Sequence, residues 1–284
     1  MDILVLGAYG LLGSHLCPAL LKEGYKVFRQ GTSSNSELCF LPYLDDELFK
    51  VIEKKKPQII INLIALTNVD QCEQDPQLAY LLNIKTVEKI VSAKAYFDFW
   101  LIHLSTDQVY SGHGIHKEGC VKPVNVYGIT KYCSELVASK INSTILRTNY
   151  HSKSIVPKRY SFSDWIVTSL KNGDKITLFD DIYFNAVHVS FLINIIKNSI
   201  QEKHIGIFNV GCEDSTTKAK FAISLAKLLS LNNSSAVIGC SKDTKLIASR
   251  PNNMIMCVDK LSKVFKIQPP KIAETLLMLS KDYL

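Results

Sequence analysis

A glycine-rich turn near the start of the chain, between a predicted strand and a predicted helix, places the strongest constraint on the fold. Gly7, Gly10 and Gly13 follow the apolar run ILVL, and an amphipathic stretch begins directly after the turn. Small residues at this spacing allow a pyrophosphate to approach the backbone, and the helix N-terminus offers it free N–H groups. We therefore expect a dinucleotide-binding βαβ unit. Its predicted cofactor contacts are Gly7, Tyr9, Gly10, Leu11, Leu12 and Gly13.

Strand and helix patterns alternate through the first half of the chain. The run QIIINLIAL is continuously apolar, as is typical of a central parallel strand, and FWLIHLSTDQVY ends a second buried strand in polar residues. This alternation predicts an α/β fold with a Rossmann-type, doubly wound parallel sheet. Beyond Tyr150 the alternation of strand and helix patterns becomes less regular. We expect residues 1–150 to form the NADP-binding domain and residues 151–284 a smaller C-terminal substrate-binding lobe, partly interleaved with the last sheet strands.

The composition argues against several other classes of protein. The net charge of +7 over 284 residues comes from dispersed Lys and Arg residues, which gives little support to nucleic-acid binding, and we expect no nucleic-acid partner. The eight cysteines form no C-x-x-C pair and the histidines show no metal-ligand spacing, so we expect no metal site. No apolar run reaches membrane-spanning length and no signal peptide precedes the first strand, which predicts a cytoplasmic enzyme without a membrane partner.

The end of the second predicted strand bears on the choice of cofactor. A carboxylate at this point binds the ribose 2′-hydroxyl of NADH and repels the 2′-phosphate of NADPH. The segment from Val27 to Ser34 contains no carboxylate, whereas Arg29 and the hydroxyls of Ser33 and Ser34 could receive a phosphate. We therefore expect NADPH rather than NADH. The alternative is that Arg29 is an exposed side chain with no ligand.

Tyr127 and Lys131 lie one helical turn apart and therefore on the same face of a predicted helix. A nearby ammonium favours the phenolate of a tyrosine and so makes it a better acid–base group. Upstream, Ser105 and Thr106 end a buried strand, where a hydroxyl can hydrogen-bond a reacting carbonyl oxygen. We predict Thr106, Tyr127 and Lys131 as catalytic residues, with Ser105 the second choice for the hydroxyl.

These motifs together resemble the extended short-chain dehydrogenase/reductase family, and within it the dTDP-4-dehydrorhamnose reductase-like branch. The resemblance spans nearly the whole chain and rests on three blocks: Asn62–Glu73 with Pro76, Ala79 and Asn83; Ser105–Tyr110, Glu118 and Pro123–Lys131 with Glu135; and Leu146–Tyr150 with Arg250-Pro251. It implies that Leu63, Ala65 and Thr67 lie beside the nicotinamide ribose. It also implies a substrate site formed by Ser105, Thr106, Val109, Asn149, Tyr150 and Arg250, with Arg250 near the phosphates.

The branch implies an NAD(P)-dependent oxidoreductase that reduces a keto group of a nucleotide-diphosphate sugar, in the synthesis of cell-surface polysaccharide precursors. Leu11 and His15 depart from the branch's pattern, so we expect no magnesium-bridged dimer, although a homodimer of another kind is left open. Phe179–Ala186 follows the sugar-pocket pattern only in part, which leaves the sugar undetermined.

Two alternatives remain open. The first is a redox-neutral nucleotide-sugar epimerase or dehydratase, although Asp107-Gln108 does not supply the Asp-Glu pair of dehydratases. The second is a non-catalytic, cofactor-binding regulatory subunit like the β subunit of methionine adenosyltransferase.

Overall fold

The computed structural model describes residues 1–44, 46–157 and 159–284, which form two compact units. Unit 1 comprises Met1–Thr106, Asn125–Arg147 and Ile193–Phe208, and unit 2 comprises Asp107–Val124, Thr148–Leu192 and Asn209–Leu284. The sequence predicted one boundary at residue 150 with some interleaving. In the structure, residues 107–124 belong to unit 2 and residues 193–208 to unit 1. The roles of the two units in binding cofactor and substrate stay predictions.

The strands are short, and several of them, including the fourth, fifth and sixth along the chain, end in polar residues. In chain order they are β1 (Asp2–Leu6), β2 (Lys26–Gly31), β3 (Leu38–Cys39), β4 (Ile59–Asn62), β5 (Trp100–Thr106), β6 (Ser143–Thr148), β7 (Tyr150–His151), β8 (Ile176–Phe179), β9 (Tyr183–Phe184), β10 (Val187–His188), β11 (Gly206–Val210), β12 (Thr216–Thr217) and β13 (Ala236–Gly239).

The α-helices alternate with these strands in the first half of the chain. They are α1 (Leu11–Lys22), α2 (Glu47–Lys55), α3 (Val69–Gln74), α4 (Pro76–Tyr80), α5 (Thr86–Ala93), α6 (Val126–Ala138), α7 (Phe162–Asn172), α8 (Val189–Glu202), α9 (Lys218–Leu228), α10 (Asp259–Phe265) and α11 (Ile272–Tyr283). A π-helical turn (Leu81–Lys85) joins α4 to α5, and 3-10 turns lie at Asp107–Val109 and Ser241–Asp243.

The central sheet has seven strands in the order β11-β6-β5-β4-β1-β2-β3. β1 pairs in parallel with both β2 and β4, and β4 pairs in parallel with β5. The apolar residues of β1 and β4 are fully buried, as expected for strands covered on both faces. The strand order reverses beside β1, and in such sheets ligands bind at the carboxyl ends of the strands next to this reversal. The predicted α/β class with a doubly wound parallel sheet is confirmed.

Helix α1 lies close to the glycine turn because Gly13 has no side chain. A Cβ atom at Gly13 would lie 2.4 Å from the backbone oxygen of Ala8, a distance that real Cβ atoms do not adopt. The obstacle is backbone, so a neighbouring side chain cannot relieve the overlap by turning away. Gly13 is therefore required for the close approach of α1 to the turn at Ala8.

Unit 2 is built on short paired strands and a buried aromatic cluster. β7 pairs in parallel with β10, β8 in parallel with β13, and β9 antiparallel with β12. The rings of Phe162, Phe184 and Phe221 surround the buried imidazole of His151, with centroids 5.0 to 5.9 Å from it. This apolar surrounding lowers the pKa of His151 to about 3, so the ring is neutral at physiological pH.

Asn185 joins three segments of unit 2. Its Nδ2 donates to the carbonyl oxygens of Cys212 (2.8 Å) and Met256 (2.9 Å), and its Oδ1 accepts from Met256 N (3.0 Å). The side chain is almost fully buried, so its polar atoms are used inside the fold. The partial match of Phe179–Ala186 to the family's pattern therefore coincides with a structural role for Asn185.

None of the helices in residues 1–44, 46–157 and 159–284 combines the length and the apolar character needed to cross a membrane.

Replacing Gly13 with alanine should destabilise the protein, because the added methyl group overlaps the Ala8 carbonyl. Overpacking of this kind typically costs about 1–3 kcal/mol of unfolding free energy. Urea denaturation of the ligand-free protein measures the change. Gly119→Ala is the matched control, since a Cβ there meets nothing within 4 Å. Equal stability of the two variants would contradict the packing argument.

Candidate active site

The glycine turn of unit 1 is held by one buried side chain that sequence reasoning missed. Gly7 adopts a positive φ of 78°, and its N–H donates to Gln30 Oε1 (2.9 Å). Ala8 N donates to the Gln30 carbonyl (2.9 Å), and Gln30 Nε2 donates to the carbonyls of Gly31 (3.1 Å) and Phe40 (2.6 Å). Gln30 is fully buried in β2 and therefore fixes the turn to the neighbouring strand.

The turn leaves the start of α1 open to an anionic ligand. Gly10 is the N-cap in extended conformation (φ −80°, ψ 179°), with no side-chain hydrogen bond to the helix. The first N–H groups of a helix have no acceptor within it, and they carry the positive end of the helix dipole. Leu12 is buried and Tyr9 is exposed, so Leu12 would contact a ligand only through its backbone. This arrangement fits the pyrophosphate of a dinucleotide.

In the structure a carboxylate lies next to Arg29, and the sequence had not predicted this contact. Arg29 Nε donates to Glu37 Oε2 (2.9 Å), and the guanidinium lies 6.0 Å from the ring centroid of Tyr9. Ser33, one of the two serines predicted to receive the 2′-phosphate, lies in the exposed loop after β2, where its Oγ accepts from Asn35 N (3.3 Å). The predicted phosphate ligands are therefore near the surface, and Arg29 is already paired.

Asn83 fastens the loop that follows β4, which carries Leu63, Ala65 and Thr67. Its Oδ1 accepts from Leu66 N (2.8 Å), and its Nδ2 donates to Thr130 Oγ1 (2.9 Å) on α6. Leu63 and Ala65 are half-buried and Thr67 is exposed. The predicted ribose-contacting loop and the helix that carries Tyr127 are thus tied together within unit 1.

Helix α6 begins with two side-chain hydrogen bonds that fix its first turn. Asn125 accepts from Gly128 N (2.8 Å), and Glu73 accepts from Val126 N (3.1 Å). Tyr127 and Lys131 are both buried on this helix. Lys131 Nζ donates to the carbonyl of Leu104 (2.7 Å), two residues before the end of β5. The structure therefore brings Lys131 to the strand that ends in Thr106, while the catalytic role of both residues stays a prediction.

Burial lowers the pKa of Lys131 to about 8, although the charge of Glu135 opposes the shift. The ammonium is therefore the main form at neutral pH, but the side chain binds its proton less tightly than an exposed lysine does. Burial, followed by the charge of Lys131, also holds the pKa of His103 well below its usual range. His103 is consequently neutral and adds no positive charge beside Lys131.

The neutral imidazole of His103 links β4 to α6. Its Nδ1 accepts from Asn62 Nδ2 (3.2 Å), so its Nε2 carries the proton and donates to Ser134 Oγ (2.9 Å). Ser134 Oγ in turn donates to the carbonyl of Lys131 (2.6 Å). A continuous chain of hydrogen bonds between buried polar groups thus runs from the sheet to the backbone of the predicted catalytic lysine.

The side chain of Ser105 is directed to a buried ion pair. Its Oγ donates to Glu135 Oε1, which also accepts from Arg147 Nε (2.9 Å), while Glu135 Oε2 accepts from Arg147 Nη2 (2.5 Å). The Ser105 hydroxyl proton is therefore used within the fold. Thr106, the last residue of β5, is buried and remains the hydroxyl predicted to bind the substrate carbonyl.

Unit 2 contains the other predicted substrate residues. Asn149 Nδ2 donates to Asp107 Oδ2 (2.7 Å), and the half-buried Tyr150 lies in β7, paired with Val187 of β10. Val109 is fully buried and offers no exposed surface to a ligand. Arg250 Nη1 donates to the Ala248 carbonyl (2.8 Å).

Lys218, at the start of α9, joins these charged residues and was missed by sequence reasoning. Its ammonium lies 5.1 Å from the ring centroid of Phe162. Burial lowers the pKa of Lys218, the carboxylate of Asp107 raises it and the charge of Arg250 lowers it. The charges of Asp107 and Arg250 therefore both act on the Lys218 ammonium within unit 2. No motif in the sequence marks Lys218, since its neighbours come from distant segments.

No group of three or more His, Cys, Asp or Glu side chains that could hold a metal ion occurs in the part of the chain that the structure describes.

Comparison with known proteins gives a consistent result. The profile of the family described as RmlD substrate binding domain matches residues 1–284. The chain is 29% identical to a dTDP-4-dehydrorhamnose reductase of Aggregatibacter actinomycetemcomitans, over 94% of each chain. It is 27% identical to the methionine adenosyltransferase 2 subunit beta of Xenopus laevis, over 81% of this chain and 73% of that one.

A solved structure shows the same fold. The chain superimposes on a dTDP-4-dehydrorhamnose reductase from Bacillus anthracis, determined in complex with NADP, with a TM-score of 0.89, 23% identity and 98% of both chains covered. The resemblance stated from the sequence is confirmed by the family match.

Replacing Glu135 with glutamine should destabilise the protein strongly, because it leaves the fully buried Arg147 charge without its carboxylate. Breaking one side of a buried ion pair typically costs about 3–5 kcal/mol. The control is Glu23→Gln, which breaks the more exposed pair with Lys197 and should change stability by about 1 kcal/mol or less. Thermal or urea unfolding measures both; a loss for Glu135→Gln no greater than for the control would contradict the assignment.

Proposed function

We propose that the chain, which belongs to the RmlD substrate binding domain family, reduces a keto group of a nucleotide-linked sugar with NADPH. The observation that carries this proposal is the 2.7 Å hydrogen bond from Lys131 Nζ to the Leu104 carbonyl. It holds Lys131, and with it the helical turn that begins at Tyr127, against the strand that ends in Thr106. An acid, a cation and a hydroxyl are the groups that such a reduction requires.

In the proposed mechanism the protein aligns the keto group and controls the proton. NADPH, when bound, supplies the hydride. Tyr127 donates a proton to the oxygen of the keto group, and the Lys131 ammonium stabilises the phenolate that remains. Thr106 donates a hydrogen bond to the same oxygen and so fixes its position. Gly7, Gly10 and the first N–H groups of α1 would hold the cofactor pyrophosphate.

The substrate is proposed to be a nucleotide-diphosphate sugar, used in the synthesis of cell-surface polysaccharide precursors. Arg250 is positively charged and can form two parallel hydrogen bonds to a phosphate, which suits a diphosphate. Asn149 and Tyr150 are proposed to contact the sugar. The relatives named as dTDP-4-dehydrorhamnose reductases support this class of substrate. A cytoplasmic location and a homodimer stay predictions.

A regulatory, non-catalytic function is the second candidate, because one relative is a methionine adenosyltransferase subunit. A redox-neutral epimerase or dehydratase is a third, although Asn149 rather than a second carboxylate binds Asp107. The net consumption of added NADPH separates the reductase from both other candidates. Only the reductase consumes one NADPH for each sugar reduced.

The test is a screen of nucleotide 4-keto sugars in which NADPH absorbance is followed. We expect stoichiometric consumption with at least one sugar, and turnover reduced by about 100-fold or more in Tyr127→Phe, since general acid catalysis contributes about 10²–10⁴-fold. Cofactor binding should be nearly unchanged in that variant. Retained turnover would remove Tyr127 from the mechanism, and the absence of NADPH consumption with every sugar would favour the other candidates.

The pKa of about 8 for Lys131 predicts a pH dependence. The ammonium is needed, and it is lost as pH rises through this value. The rate constant kcat/KM for reduction should therefore fall above about pH 8, by about tenfold per pH unit. Lys131→Arg keeps its charge at higher pH and should therefore move the decline to higher pH. A flat profile up to about pH 9.5 would contradict a charged Lys131 in the mechanism.

A further inference from the structure

We infer that Glu37 limits the preference of this protein for NADPH over NADH, by competing with the cofactor for Arg29. The inference rests on the proposed function, because it assumes that a nicotinamide dinucleotide binds at the glycine turn. It adds Glu37, which no sequence motif marks, as a residue that determines cofactor specificity.

The fold brings Glu37 to Arg29 through strand pairing. The chain leaves β2 at Gly31, turns through residues 32–37 and returns as β3, with Leu38 paired to Gln30. This register places residue 37 beside residue 29, and Arg29 Nε donates to Glu37 Oε2 at 2.9 Å. The pair therefore lies where a parallel sheet of this type receives the adenine ribose.

Tyr9 of the glycine turn holds both partners in place. Its Oη accepts from Glu37 N (2.9 Å), and its ring lies under the Arg29 guanidinium, 6.0 Å from centroid to Cζ. A carbon atom on Gly31 would meet Ser36 Oγ at 2.4 Å and Tyr9 Cδ2 at 2.6 Å, so the turn packs closely against the loop. Glu37 is therefore held next to the predicted cofactor site by its own backbone.

The two side chains of the pair favour different cofactors. The 2′-phosphate of NADPH is a strong acceptor that suits the Arg29 guanidinium, but it meets the negative charge of Glu37. The 2′-hydroxyl of NADH can donate to the Glu37 carboxylate, as an acidic residue does in NAD-binding sheets. Each cofactor thus finds one matching group and one unfavourable or unused group.

The Arg29–Glu37 pair can also be broken at little cost. The side chains are 43% and 34% exposed, and ion pairs at such exposure contribute little to stability. Arg29 can therefore turn from Glu37 to a phosphate when NADPH binds. The carboxylate stays beside the site after this exchange, and its charge continues to weaken the binding of the phosphate.

The test is calorimetric titration of the full chain with NADP⁺, NAD⁺ and the fragments 2′,5′-ADP and 5′-AMP. For Glu37→Gln we expect the ratio of the dissociation constant of NAD⁺ to that of NADP⁺ to rise about tenfold, because the substitution removes both the repulsion of the 2′-phosphate and the anionic acceptor for the 2′-hydroxyl. For Arg29→Gln the ratio should fall by a similar factor. The fragments should show the same trends, since they carry the groups that differ.

Glu47→Gln is the matched control, because Glu47 is also an exposed carboxylate of unit 1 bonded to a basic side chain, Lys50 Nζ at 2.8 Å. It removes the same net charge away from the glycine turn, and we expect an unchanged ratio. A change of less than about twofold in Glu37→Gln, or an equal change in Glu47→Gln, would overturn the inference.

The binding measurement separates this inference from the proposed function. If the cofactors bind and Glu37→Gln shifts their ratio, the inference holds even when no sugar is reduced. If neither cofactor nor fragment binds to the unaltered protein, both the inference and the proposed function fail. Circular dichroism of each variant, compared with the unaltered chain, confirms that a change in ratio comes from folded protein.

Discussion

The buried ion pair between Glu135 and Arg147 is the interaction on which the arrangement of the site depends. Both side chains have lost nearly all contact with water, at 0% and 1% exposure, so each charge relies on the other. The carboxylate also accepts from Ser105, which joins β5, β6 and α6 at one point. A helix bonded in this way can neither slide nor rotate on the sheet without exposing an unpaired charge to an apolar interior.

The neutral polar groups around this pair extend the same constraint to the predicted catalytic residues. One chain of hydrogen bonds runs from Asn62 through His103 and Ser134 to the carbonyl of Lys131. A second runs from Asn83 through Thr130 Oγ1 to the carbonyl of Tyr127 (3.0 Å). Both end on the backbone of α6. The residues that carry the family resemblance in β4 and the π-helical turn thus position the helix rather than perform chemistry.

The features that could be predicted from the sequence are those decided by near neighbours in the chain. The turn from Gly7 to Gly13 and the alternation of strands and helices depend on local spacing, and the parallel sheet follows from them. Gln30, Glu37 and Lys218 escaped prediction because their partners come from strand pairing or from distant segments. The extent of the two units escaped it for the same reason, since residues 107–124 and 193–208 join their units through contacts remote in sequence.

A polar residue at the end of a buried strand has two possible uses, and the sequence does not distinguish them. Ser105 and Thr106 are adjacent hydroxyl residues on β5, and both could bind a substrate oxygen. The structure separates them through Glu135, which needs a donor in addition to Arg147 and takes the hydroxyl of Ser105. Successive side chains of a strand point to opposite faces, so one carboxylate at this position cannot take both hydroxyls. The demand of a buried charge for partners therefore gives Ser105 a structural use, and the binding of a substrate oxygen by Thr106 stays a prediction.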